Sequence, residues 1–397
     1  MMQALARYSD HPVEAIVPVA HGAALAGIRD NTLAFDPPDY EWNLPPESLA
    51  AYRATRDPFA LSGSPALPGG LNMGAQLHML EASGALQGSL LMPYAQYWAW
   101  WLSGVAASEV TSLGCHSDLW DPSRADYSPM AKSRGWAGQF APLARAGDWL
   151  GALKPDLVRH TGLSPSVRVY TGLHDSNAAL LAARGCPELA GQETTVLSTG
   201  TWFVAMRSPG RAVDPAVLPE DRDCLVNVDT ESRPVPSARY MGGRELELLG
   251  ARIDRPGTHG FSEVLASGTM LLPSQVPGCG PFPNAPWRWL GEPADPVERR
   301  AAIALYAALM ADVSLDLIGA CERLLIEGRF ARSELFVRAL ATLRPDTKVY
   351  TSSAQADVSF GALRLVLPDL KPHQKLETIK PLNGPLMGYR DRWREQI

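Results

Sequence analysis

The chain carries no Cys-x-x-Cys pair anywhere in its 397 residues, and its five cysteines, Cys115, Cys186, Cys224, Cys279 and Cys321, lie far apart. An odd and scattered set of this kind argues against a disulfide framework or a zinc ribbon and fits a reducing compartment. There is no block of lysines and arginines, and the formal charge is −6, so neither nucleic acid nor an anionic membrane is an expected partner. No Gly-Lys-Ser/Thr occurs, which excludes a Walker-type phosphate loop. Long apolar runs are missing too. The most hydrophobic window, residues 89–107, is interrupted by Pro93, Gln96 and Gly104, so a buried helix over residues 94–102 is expected rather than a membrane span. The first ten residues have neither the basic region nor the apolar core of a secretory signal, and a cytoplasmic location is the expectation.

What remains is an ordinary globular composition, 46% hydrophobic and 20% charged, in a chain long enough for two domains. A break in periodicity at residues 185–191 divides it into segments 1–188 and 189–397. In the first, helices are expected at residues 47–55, 74–81, 94–102, 148–153 and 176–183, with strands at 15–20 and 166–170. In the second, a hairpin around Gly200 precedes a long helix from residue 296 to 325, a helix at 335–343, a strand at 348–351 and a helix at 358–365. Alternation of this sort predicts an α/β fold with both faces of a sheet covered.

Two segments carry the chemistry. Tyr170-Thr-Gly-Leu-His-Asp175 ends an apolar stretch just before an alanine-rich helix, the place where α/β sheets expose reactive groups. About twenty residues on, Ser198-Thr-Gly-Thr201 lies between two apolar runs and reads as a tight turn presenting hydroxyls and backbone N–H groups, so Thr199, Gly200 and Thr201 are phosphate-binding candidates. Taken alone, Asp175 is a helix N-cap and Ser-Thr-Gly-Thr an ordinary turn. A third cluster, Gly114-Cys-His-Ser-Asp-Leu-Trp120, gathers His116, Asp118 and Trp120 in a loop suited to a sugar polyol, the tryptophan offering an apolar face. A metal site built on His116 and Asp118 competes with it, but lacks further ligands at convincing spacing. Asp39, Tyr40 and Glu41 are either pocket residues or solvated loop residues.

The ordered set Gly-x-His-Asp175, Ser-Thr-Gly-Thr201, Tyr240-Met-Gly-Gly-Arg244, Ile326-Glu-Gly-Arg-Phe330 and Gly361-Ala-Leu363 resembles the FGGY family of carbohydrate kinases, in particular the branch of rhamnulokinase-like and fuculokinase-like enzymes. The resemblance runs from about residue 14 to the end. It implies two ribonuclease-H-like domains of the actin and hexokinase type around a cleft, with sugar held by the first domain and ATP with magnesium by the second. It implies Asp175 as general base towards a ketose or deoxy-ketose hydroxyl, with His174 beside it, and Gly243, Gly328 and Arg329 near adenosine. Ala20-His21-Gly22 is similar to the family's sugar-contacting Gln-Met-His-Gly, which puts His21 and Gly22 with the substrate groups. Family members open with a hairpin carrying Asp-x-Gly-Thr, and no such segment is in this sequence, so the first domain is expected to be incomplete. The alternatives are a non-catalytic sugar- or nucleotide-binding relative, an inactive truncated kinase, or a metal-dependent hydrolase using His21, His116 and Asp118. A small sugar is the expected partner, and a homodimer is left open.

Overall fold

The computed structural model of the protein describes residues 1–38, 42–208, 214–250, 252–253, 257–352, 358–372 and 375–397. Asp39, Tyr40 and Glu41 lie outside the described residues. The principal layer is a seven-stranded sheet ordered Cys224–Val228, Pro234–Tyr240, Phe203–Ser208, Thr194–Thr199, Arg323–Gly328, Lys348–Thr351, Glu377–Thr378. Its middle strands Thr194–Thr199, Arg323–Gly328 and Lys348–Thr351 are parallel, and the others run antiparallel to their neighbours. Both faces are covered, and strand alternation sorts the side chains. Leu197, Leu324 and Ile326 share a core with Leu305 and Leu309 of the helix Pro296–Leu317. Val196, Leu325 and Tyr350 point the other way, against Leu180 and Ala183 of the helix Asp175–Ala183.

Three expectations are corrected. The long helix does not reach residue 325. Asp295 caps its start by accepting from the amides of Val297 and Glu298, but it stops at Leu317, just before Gly319 at φ +66°. The apolar run that follows is the central strand Arg323–Gly328, paired on both sides. Residues 149–152 form a strand, Trp149–Ala152, antiparallel to Arg168–Tyr170, where a helix is expected. So short an apolar run has no period of its own, and the partner strand decides its conformation.

The strand expected over residues 15–20 breaks at Pro18, which has no N–H to give the ladder. Ala15–Ile16 pairs in parallel with Arg168–Tyr170, and Val19–Ala20 pairs in parallel with Leu173–His174. The carboxyl ends of this second pair bring His21 beside Asp175. The ten-residue helix Tyr94–Ser103 buries Ala95, Gln96, Ala99, Trp100 and Leu102, and no described helix is long and apolar enough to cross a membrane.

Helix Asp175–Ala183 is fixed by close contact with helix Val358–Val366. A methyl group on Gly361 would lie 1.8 Å from the Ala178 carbonyl oxygen, so the helices approach backbone to backbone. Gly361→Ala is expected to force them apart and to cost about 1–3 kcal/mol of stability, the usual range for overpacking. An unchanged melting temperature would contradict the contact.

Candidate active site

The site grows from the carboxyl ends of Val19–Ala20 and Leu173–His174. Asp175 opens its helix, with His174 in the cap position. One carboxylate oxygen is anchored: Oδ1 accepts from the Ser176 amide at 2.6 Å and from the Ser176 hydroxyl at 3.2 Å, and His174 Nε2 lies 3.2 Å away. Oδ2 makes no hydrogen bond to a described residue, and the side chain is 44% exposed. A base held by one oxygen and open at the other is oriented yet still able to accept a proton.

His174 is buried, and burial pulls its pKa down against the pull of Asp175. The neutral ring receives the Asn177 amide at Nδ1, 3.4 Å away, which leaves its proton on Nε2, facing Asp175. Cys115 Sγ lies 3.5 Å from the same nitrogen, and burial raises its thiol pKa, so it fills space rather than reacts. Gly22 is required here: a methyl group at its position would come within 2.5 Å of Cys115 Sγ and 3.1 Å of His174 Nε2. His21 Nδ1 donates to the Gly22 carbonyl at 2.8 Å, and its ring lies 5.2 Å from that of Tyr94.

The second group meets at the carboxyl ends of the large sheet. Strands Thr194–Thr199 and Phe203–Ser208 form the expected hairpin, with Gly200 and Thr201 exposed at its turn. Thr199 is corrected as a phosphate ligand: it is buried, its hydroxyl donates to the Glu327 carbonyl and accepts from the Phe330 amide, and it ties adjacent strands together. Gly243 and Gly328 do meet this turn, but for a reason that sequence does not show. A side chain on Gly243 would strike the Gly200 carbonyl oxygen at 2.0 Å, and one on Gly328, at φ +85°, would approach the Thr199 carbonyl oxygen at 2.6 Å. The glycines thus admit protein backbone. Arg329 is half exposed next to them, 3.8 Å from Glu247.

The loop cluster is divided by the structure. Asp118 is corrected as a sugar ligand: it is buried, accepts from Arg56 at 3.0 Å and from the Tyr52 hydroxyl, and anchors the loop. Trp120 is corrected as a sugar platform: it is 3% exposed and sits edge-on to Tyr127 at 5.5 Å within the core. His116 stays near the cleft. Its Nδ1 donates to the Leu71 carbonyl at 2.7 Å, and burial followed by the Arg239 charge depresses its pKa to about 3, so it is neutral. Among the described residues no group of three or more His, Cys, Asp or Glu side chains is arranged to hold a metal ion.

Arg239 and Asp223 carry no signal in the sequence, and Trp202 ends the Ser-x-Gly-Thr-Trp motif without an assigned role. Arg239, the last residue but one of the strand Pro234–Tyr240, donates through Nε to Asp223 Oδ1 at 2.8 Å, and its guanidinium lies 5.0 Å from the centre of the Trp202 ring. Together they line a cavity of about 680 Å³ that the Pro65 to Leu71 loop also walls. Trp202 stands directly after the recognised turn, which was its one available signal.

Glu109 supports the site from behind. It accepts from the Thr111 amide at 3.0 Å and from the Thr111 hydroxyl, whose oxygen in turn accepts from the His174 amide at 3.0 Å. Burial pushes the Glu109 carboxyl up to about 7, against the pull of Thr111. An acid with a raised folded pKa keeps its proton in the fold while the unfolded chain has lost it, so stability falls as pH rises through about 4.5 to 7. Glu109→Gln should escape that loss. It is expected to gain on the wild type by about 3 kcal/mol between pH 4 and pH 8 in urea titrations; parallel pH profiles would contradict the assignment.

Residues 191–375 match the family model described as carbohydrate kinase FGGY, C-terminal domain. The crystal structure of a carbohydrate kinase from Novosphingobium aromaticivorans is similar over 100% of this chain and 89% of that one, at 57% identity and a TM-score of 0.96. Xylulose kinase from Rhodospirillum rubrum shares the fold at 17% identity and a TM-score of 0.75, covering 98% of this chain and 84% of its own. Plasmodium falciparum glycerol kinase with ADP does so at 11% identity and 0.72, covering 96% and 83%. No curated protein matches significantly. The molecule is an α/β phosphotransferase built of two ribonuclease-H-like domains around a cleft. It belongs to the FGGY carbohydrate kinases, enzymes that phosphorylate sugars.

Proposed function

We propose that the protein transfers the γ-phosphoryl group of magnesium-ATP to a primary hydroxyl of a ketose or deoxy-ketose, in the cytoplasm, with Asp175 as general base. The supporting observation is the half-exposed carboxylate with Oδ1 anchored and Oδ2 open. Oδ2 takes the hydroxyl proton as the new O–P bond forms and the bond to the β-phosphate oxygen breaks, releasing ADP. His174, neutral and protonated on Nε2, keeps the carboxylate turned to the sugar without neutralising it. Residues 1–188 hold the sugar in this reading, with His21, Gly22 and His116 near it.

Residues 189–397 hold the nucleotide. The exposed turn at Gly200 and Thr201 receives phosphates: a methyl on Gly200 would meet nothing nearer than 3.7 Å, so its outer side is open to a ligand. In this reading Gly328 and Arg329 border the adenosine. Magnesium enters as the companion of the ATP phosphates and is part of that substrate. Closure of the cleft excludes water, which matters because water competes with the sugar for the phosphoryl group. Mass spectrometry of the sugar after incubation with magnesium-ATP tests the reading. A sugar monophosphate is expected; ADP and inorganic phosphate with unmodified sugar would contradict it.

A further inference from the structure

Two arginines and one glutamate meet beside the turn at Gly200 and Thr201. Arg244 stands directly behind that turn, because its amide donates to the Thr201 carbonyl at 3.2 Å. Its guanidinium is turned along the helix Gly242–Leu248, where Nη1 donates to Glu247 Oε2 at 3.4 Å. Arg329 approaches the same carboxylate from the end of the strand Arg323–Gly328, with Nη1 3.8 Å from Oε1. One carboxylate therefore faces a guanidinium at each oxygen and bridges the helix to the 3-10 turn Arg329–Arg332. The side chains of Arg244, Glu247 and Arg329 are 52%, 47% and 50% exposed, so the bridge lies in water and is easily opened.

The two arginines are held differently. Arg329 has the Phe330 ring, 5.1 Å from its guanidinium, as well as Glu247. Arg244 has Glu247 alone as an ion-pair partner among the described residues. Arg239, the other cation on this side, is committed to Asp223 and Trp202, and it lines a cavity to which neither Gly200 nor Thr201 belongs. Phosphoryl transfer calls for cations beside the phosphate oxygens, and a phosphate at the turn is a stronger partner for Arg244 than an exposed carboxylate, since it can take the guanidinium fork in two parallel charge-assisted bonds. Side-chain rotation brings Arg244 there, because its backbone is already bonded to Thr201. Glu247 keeps Arg329 as its counterion when Arg244 leaves.

We propose that Arg244 is a ligand of the nucleotide phosphates and that Glu247 is its competitor, an internal anion that the phosphates displace. This rests on the kinase reading above, which puts phosphates at Gly200 and Thr201. Glu247 thereby filters nucleotides by phosphate number: a ligand has to bring enough negative charge to the turn to draw Arg244 away, and the triphosphate does so more strongly than the monophosphate.

Calorimetric titration without sugar tests the proposal separately from turnover. The probes are AMP, ADP and a non-hydrolysable ATP analogue, each with magnesium. Arg244→Gln is expected to weaken the ATP analogue about 10-fold, the value of a charge-assisted contact, and to leave AMP nearly unchanged. Glu247→Gln should do the reverse and tighten the ATP analogue about 3- to 10-fold, because the competing charge is gone. That gain should vanish when Arg244→Gln is added to it, a non-additivity that two independent residues would not show. An Arg244→Gln protein with wild-type affinity for the analogue, or with equal losses for AMP and the analogue, would overturn the proposal. So would a Glu247→Gln protein that binds the analogue more weakly, and this result decides alone if Arg244→Gln does not fold. Nucleotide binding with the expected signs but no phosphorylation of any sugar would leave the proposal standing and sink the kinase reading. Sugar phosphorylation with an unchanged KM for ATP in Arg244→Gln would do the opposite.

Discussion

Asp175→Asn is expected to lower sugar phosphorylation by about 10²- to 10⁴-fold, the range that a positioned general base supplies. The substitution keeps the shape of the side chain. Its amide oxygen can still accept from Ser176, as Oδ1 does, so the start of helix Asp175–Ala183 should survive. What is lost is the proton acceptor facing the cleft. Sugar and nucleotide affinities should stay within a few-fold of the wild type, because the carboxylate acts on a proton that moves only as the O–P bond forms. Rates measured with saturating sugar and magnesium-ATP, alongside binding by calorimetry, separate the two effects. A variant with unchanged turnover would remove Asp175 from the mechanism. One that lost sugar binding in proportion to rate would make it a sugar ligand.

Asp118→Ala should have the largest effect on stability. Arg56 and Asp118 are 10% and 0% exposed, so removing the carboxylate strands a guanidinium that keeps only Glu220 as a charged partner. Breaking a buried pair from one side costs about 3–5 kcal/mol. Alanine must also adopt φ +64°, a left-handed conformation that aspartate and asparagine tolerate better. Asp118→Asn is therefore the milder companion, expected to lose the charge without the backbone strain. Thermal denaturation of both variants, with sugar KM measured on the folded protein, distinguishes an anchor from a ligand. A raised KM at wild-type stability would restore Asp118 to the sugar site.

The contrast between Asp175 and Asp118 shows where sequence reading succeeds. Asp175 sits at a junction of two periods, a strand ending and an alanine-rich helix beginning, and that local pattern predicts its helix to within a residue. The hairpin at Gly200 is legible for the same reason, since two apolar runs flank a small-residue turn. Asp118 shares its loop with polar neighbours that suggest a pocket, but the group that claims it, Arg56, is 62 residues away, and no local pattern reports it. Trp120 gives no sign in its own loop that its ring faces Tyr127 and the core.

Arg239 fails in the opposite direction. It is one cation near the end of a mostly apolar strand, and its meaning depends on Asp223 and Trp202, which neighbouring segments deliver. Long-range pairing also explains the misread strands. Trp149–Ala152 and Arg323–Gly328 take their conformation from strands beside them, and in the second case Gly319 at φ +66° is the local mark of the helix stop. The family resemblance implies Gly243 and Gly328 beside adenosine, and the structure shows a second demand for their small size, since the turn at Thr199 and Gly200 packs on them.

The central claim, phosphoryl transfer to a sugar at Asp175, is tested most directly by a coupled assay of ADP release from magnesium-ATP. Ketoses and deoxy-ketoses are supplied one at a time to the wild type and to Asp175→Asn. The account predicts ADP release that depends on at least one of these sugars in the wild type and is nearly absent in the variant. ADP release indifferent to sugar, or equal in the two proteins, would contradict it.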